Sequence, residues 1–248
     1  MAVYGKGWRP DTPDHRDVYY RAVAPVRDLP ASVDLRSLLP PVYDQGALGA
    51  CTAHGIAGAM QYAQAKQGFP RWMPSRLFIY YNEREMEGTI GEDAGASIRD
   101  GIKSINTRGV CYEEAWPYRI DRFAERPPDD AYMIAKNHPS VRYSRLVNLP
   151  LHLKVALAGG DVLVFGVSVY ESFESEAVAR SGDVPLPHSS ERLMGGHCML
   201  AVGYDGDQVL VRNSWGPAWG DGGYCRMPFA YLCNPDLADD FWMVQSVA

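Results

Sequence analysis

Four residue types in this chain can run acyl-transfer chemistry as a set, and they fall in two distant segments. The first reads Tyr43-Asp44-Gln45-Gly46-Ala47-Leu48-Gly49-Ala50-Cys51-Thr52-Ala53. The second holds Gly195-Gly196-His197-Cys198, then Val211-Arg212-Asn213-Ser214-Trp215-Gly216-Pro217-Ala218-Trp219-Gly220. In order they supply Gln45, Cys51, His197 and Asn213. A thiol nucleophile needs a base, the base needs a partner that fixes its tautomer, and a developing oxyanion needs an amide donor. The chemistry these four imply together is attack by a cysteine on a carbonyl carbon.

Taken singly, each has an ordinary structural explanation. Cys51 opens an Ala-rich stretch expected to be helical, where a small buried thiol can simply pack. At a helix N-terminus, however, the positive end of the dipole and unpaired N–H groups favour thiolate. His197 follows a Gly-Gly turn into an expected strand, and Asn213 ends another. An Asn carbonyl accepting the imidazole N–H fixes the ring. Gln45 lies close enough before Cys51 to aim its amide at an oxyanion. The conjunction, in this order and these contexts, outweighs the separate explanations.

The elements that must position these residues change in texture along the chain. Helices are expected over about 50–66, with Ile56, Met60 and Ala63 at helical spacing, over 75–87, and over 97–105 closed by Gly109. Short β-branched or aromatic runs follow at 162–169, 198–204, 208–213, 223–227 and 241–247. Helices first and strands afterwards predict an α+β fold in two lobes. Residues 1–29 are Pro-rich and aperiodic, an expected arm. The compact part is expected over 30–248, with a helical lobe at about 37–139 and a β lobe at about 140–248.

The 248 residues carry a net charge of -6 and no dense Lys/Arg run, which argues against nucleic acid or an anionic membrane as partner. The longest apolar stretch, 162–169, is far short of the roughly 20 residues of a membrane span. Residues 1–8 have no apolar signal core, so a soluble chain is expected, cytoplasmic or exported by a signal-independent route. The five cysteines have no zinc-like spacing; most are expected as buried thiols, with a Cys225–Cys233 pair left open. No metal or organic cofactor is suggested.

The quoted segments resemble the papain family of cysteine peptidases, over about residues 29–248. Asp44 to Cys51 is similar to the family's Asn-Gln-Gly-Ser-Cys-Gly-Ser-Cys, and His197 to Tyr204 to its His-Ala-Val-Ala-Val-Gly-Tyr. Asn213-Ser214-Trp215-Gly216 and the following Trp219-Gly220 match its most specific motif. His197 follows Cys51 by 146 positions and Asn213 by 162, the latter slightly beyond the usual window. The resemblance implies a helical lobe and a β-barrel-like lobe with a cleft between them. It implies that Cys51 attacks a peptide carbonyl, His197 carries the proton, Asn213 orients His197, and Gln45 with the Cys51 N–H holds the oxyanion. Trp215 would shield the His197–Asn213 contact, Trp219 would line the leaving-group side, and Gly95 would lie on a rim that pairs with substrate backbone. The short arm is most like bacterial members.

Thr52, Leu48 and Gly196 stand where the family usually has Trp, a disulfide-forming Cys and Asp. His54 replaces a large apolar residue and lies one turn beyond Cys51, where it could approach the sulfur; His197 is the better-placed base. With no insertion blocking the cleft, an endopeptidase acting on peptide or protein is expected. The competing expectations are amidase or transglutaminase-type acyl transfer and a catalytically silent binding scaffold. The arm is expected to lie across the cleft and restrain activity, as a short propeptide-like segment, or else to pack on the back of a lobe.

Overall fold

Helix α1, Cys51–Lys66, is the central element. The sequence stripe Ile56, Met60, Ala63 understates it: all positions from Cys51 to Gln64 are buried, so the helix is covered on every side and needs no amphipathic period. Its small residues admit the neighbours. A Cβ on Gly55 would lie 3.1 Å from the Cys198 sulfur, and one on Gly58 3.5 Å from Leu200. Helices α2 (Arg76–Glu87) and α3 (Ile98–Arg108) pack against α1. Ser75 and Ser97 cap them by accepting from Phe78 N–H and Asp100 N–H, and left-handed Gly88 ends α2.

The computed structural model describes residues 4–20, 29–138 and 141–247. The expected lobe boundary near 139–140 and the arm's residues 21–28 lie outside the described residues. Beyond the boundary come β2 (Val141–Leu146), α5 (Pro150–Ala158) and β3 (Leu163–Tyr170), preceded by α4 (Asp129–Ala135). Then follow α6 (Glu176–Ser181), β4 (Leu193–Asp205), β5 (Gln208–Arg212), β6 (Tyr224–Pro228), α7 (Phe229–Leu232) and β7 (Ala238–Val247). A short β1, Ser32–Asp34, pairs with the far end of β4.

The strands form one antiparallel sheet, ordered β2-β7-β3-β4-β5-β6 with β1 on β4. The fold is α+β as expected, but the sheet is open: β2 and β6 stand at its two ends. Strands β1 and β2 and helices α4 to α7 were not read from the sequence. In β2, Arg142, Ser144 and Arg145 interrupt the apolar pattern, and Arg145 is there to meet charge, as described below. Two apolar clusters result, one around α1 to α3 and one on the other face of the sheet, around Phe165, Phe241 and Trp219. All five cysteines are free thiols, including Cys225 and Cys233.

Candidate active site

Cys51 is the first residue of α1, and no side chain caps this helix. Its first N–H groups therefore stay available at the head of the helix. Burial lifts the Cys51 thiol to about 11, against the pull of the backbone amides of Cys198, Gly7 and Thr52, which point at the sulfur. His197 stands on β4 and Asn213 just beyond β5, and the antiparallel β4–β5 pairing brings the two together. Their side chains bond, Nε2 to Oδ1, at 2.8 Å.

One backbone donor settles the protons here. Asn213 Oδ1 also accepts from the Ser214 N–H at 2.7 Å, and a backbone N–H can only donate. The atom between them is therefore the oxygen and His197 Nε2 carries a hydrogen, so in the neutral ring Nδ1 is the lone-pair nitrogen. His197 Nδ1 is buried and has no hydrogen-bond partner. Burial depresses the imidazole to about 4, with the Lys6 charge adding to the effect and the Asn213 bond opposing it. Burial thus disfavours the charged form of both thiol and imidazole.

Gln45 sits in a loop stitched to the Asn213 segment. Its N–H donates to Ser214 O at 2.9 Å, Gly216 N–H donates to Tyr43 O at 2.9 Å, and Ser214 Oγ donates to Gln45 Oε1 at 2.5 Å. The side-chain Nε2 donates to Leu48 O at 2.9 Å and to Gly5 O at 3.0 Å. The first bond orients the amide; the second directs its other N–H at a carbonyl of the N-terminal segment.

That segment makes a continuous series of contacts with the candidate residues. Gly5 N–H donates to Gly46 O at 3.0 Å, and Tyr4 stacks on Trp215 at 4.6 Å with 6° between the rings. Ala96 N–H donates to Gly7 O at 2.7 Å, Arg9 N–H to Ala96 O at 3.0 Å, and Trp8 N–H to Gly196 O at 3.1 Å. Residues 7–9 therefore run between Ala96 on one side and Gly196 on the other. Gly95, at φ +68°, and Gly196 leave room for this chain: a Cβ at Gly95 would lie 1.9 Å from Gly7 O, and one at Gly196 2.2 Å from Trp8 O. The Trp8 ring fills the space over Gly166 in β3, where a Cβ would come within 1.9 Å of it.

Trp215 packs beside His197, with ring centroids 4.8 Å apart. Trp219 is T-shaped to Trp215 at 5.4 Å and stacked on Phe173, so it supports Trp215 from within the core. His54 turns away from the sulfur: its Nδ1 bonds Ala50 O at 2.8 Å and its ring packs edge-on against Tyr118 and Tyr43.

Beyond the site, the same segment carries a buried charge cluster that sequence reading missed. Asp11 accepts from Trp242 Nε1 at 2.8 Å and from Arg99 N–H at 3.1 Å. Asp240 accepts from Asp11 N–H at 2.7 Å, Trp8 Nε1 at 3.2 Å and Arg145 at 2.6 Å. Asp17 bonds Arg99 at 2.5 Å and Arg145 at 3.2 Å. The signal available beforehand was weak: Asp11, Asp14 and Asp17 closely spaced in the segment, and arginines in otherwise apolar elements.

A buried cysteine at a helix head, and a histidine bonded to an asparagine, are residue types that a cysteine-protease site would use, here on an α+β scaffold. The family comparison agrees. The chain belongs to the papain family of cysteine proteases, whose family model matches residues 29–234. It is 41% identical to xylellain, a cysteine protease from Xylella fastidiosa, with a TM-score of 0.92, covering 100% of this chain and 98% of that one. An uncharacterized peptidase C1-like protein of Acanthamoeba polyphaga mimivirus is 46% identical over 231 residues, 89% of this chain and 74% of that protein. The thiol protease aleurain of Arabidopsis thaliana is 29% identical over 213 residues, 80% of this chain but only 56% of its own length. Among the described residues, no helix is long and apolar enough to cross a membrane.

Proposed function

We propose that the chain hydrolyses internal peptide bonds, with Cys51 as nucleophile, His197 as base and acid, Asn213 as its orienting partner and Gln45 as oxyanion donor. The observation that carries this reading is the Ser214 N–H bond to Asn213 Oδ1. It fixes Asn213, hence the His197 tautomer, and leaves the bare Nδ1 to receive the thiol proton. The thiolate then attacks the substrate carbonyl carbon, and the oxygen gathers negative charge opposite the Gln45 Nε2–H and the N–H at the head of α1. His197 returns the proton to the leaving amine, and water releases the acyl group by the same steps in reverse. Trp215 keeps water from the His197–Asn213 bond, which strengthens it.

In the same reading, residues 1–29 are an arm that restrains a peptidase domain spanning 30–248. The Gly5 carbonyl takes the Gln45 N–H that an oxyanion needs, and the Gly7–Trp8 backbone fills the path between Gly95 and Gly196. A neutral thiol and a neutral imidazole are what a covered, dry site produces.

The test is digestion of long peptides, one set blocked at both ends and one with free termini, with products mapped by mass spectrometry. Internal cuts by the wild type and none by Cys51→Ala are expected. Release only from free termini would replace the endopeptidase reading with an exopeptidase one. Transfer to added amines without hydrolysis would favour acyl transfer, and no reaction, even when Gly166→Ala displaces the Trp8 ring, a silent scaffold.

A further inference from the structure

Two buried polar atoms near the site have no partner and opposite character. Asn213 Nδ2 is one, because both acceptor directions of its amide belong to Oδ1. It brings two N–H donors. His54 Nε2 is the other. Its Nδ1 faces the Ala50 carbonyl, which only accepts, so Nδ1 carries the hydrogen and Nε2 is a bare acceptor. Both residues line one small pocket of about 10 Å³, shared with Gly55 and Cys198 and with the polar Tyr43, Arg212 and Ser214. That is about the space one water needs, and a buried water bonds to otherwise unpaired polar groups.

We infer that His54 is a positioning residue for the reaction proposed above, holding the Asn213 amide through one internal water. The water accepts from Asn213 Nδ2–H and donates to His54 Nε2. The relay then runs from α1 to the base: Ala50 carbonyl, His54, water, Asn213, His197. It anchors the nitrogen end of an amide whose oxygen end sets the His197 tautomer. His54 stays neutral, as this role requires. Burial holds its imidazole well below the usual range, and the guanidinium groups of Arg76 and Arg212 act in the same direction. The inference depends on the peptidase reading only for its catalytic consequence; the wiring itself is testable in the resting protein.

The experiment is long-range ¹⁵N–¹H NMR of the histidine rings in the full chain, which reports the tautomer of His197 directly. Wild type is expected as the single Nε2–H tautomer. His54→Phe, which keeps a ring and removes the acceptor, is expected to give a mixture of both tautomers. His54→Gln, which restores an acceptor, should return the single form. His54→Met serves if the Phe variant does not fold. On a cleaved peptide, His54→Phe should lower kcat about tenfold with KM unchanged, and should add nothing in an Asn213→Ala background. A His197 tautomer indifferent to position 54 would overturn the inference even if peptides are cleaved. The expected tautomer change in a chain that cleaves nothing would uphold the wiring and remove the peptidase reading instead.

Discussion

The N-terminal segment meets two buried polar regions, and they are built in opposite ways. At the Asp11, Asp17 and Asp240 cluster, the arginines, tryptophan N–H groups and backbone amides fill the carboxylates with donors. Around Cys51, His197 Nδ1, Asn213 Nδ2, His54 Nε2 and Trp215 Nε1 are buried without partners. Buried polar groups are normally paired, and unpaired ones need a reason. The first region is saturated because its work is to hold. In the reading proposed above, the second keeps His197 Nδ1 unpaired because its work is to receive a proton, while Asn213 Nδ2 and His54 Nε2 share the inferred water.

The comparison can be broken most sharply at the nucleophile. Cys51→Ala should abolish peptide hydrolysis, a loss on the order of 10⁶ in kcat for removal of a nucleophile, while the melting temperature stays near that of wild type. The holding region should answer in the opposite way. Arg145→Met leaves Asp240 and Asp17 short of a partner, and should cost about 3–5 kcal/mol by denaturant unfolding. Gln45→Ala tests the reserved donor: a drop of about 10²–10³ in kcat is expected, with the cysteine still present and folded.

A gentler change sharpens the difference by moving only the segment. Gly166→Ala puts a methyl where the Trp8 ring lies and touches none of the four proposed reacting residues. Turnover of a small peptide by the full chain should rise; unchanged turnover would mean that the segment does not limit access. The smallest expected effect concerns pH. Burial, with Asp11 beside it, lifts the Asp240 carboxyl to about 7 from the ordinary 3.8. A raised value favours the docked segment fully below 3.8 and loses that contribution as the pH rises through about 7. Hydrogen-exchange protection of the Trp8 amide, corrected for intrinsic rates, should therefore weaken progressively between about pH 4 and pH 7 and level off above, and Asp240→Asn should flatten that change.

What was legible in the sequence follows from how local the signals are. The helix opened by Cys51, the strands bearing His197 and Asn213, and the Gln45 loop each carry their identity in adjacent residues. The covering of the site was only half legible: Pro-rich composition marked an arm, but the fit of Trp8 over Gly166 joins positions 158 apart. Strand β2 was missed because Arg145 breaks its apolar pattern to pair with Asp17 and Asp240, a reason visible only in three dimensions. His54 was read as a neighbour of the sulfur from its helical spacing. Its rotamer instead bonds Ala50 O, and spacing alone does not choose between the two.

The most direct test of the central claim is intact mass after treatment with an epoxysuccinyl peptide under reducing conditions, on wild type and His197→Ala. A single adduct, mapped to Cys51 and lost or greatly slowed without the imidazole, is the predicted result. No adduct on folded wild type or on a folded Gly166→Ala variant, or labelling of His197→Ala as fast as wild type, would contradict it.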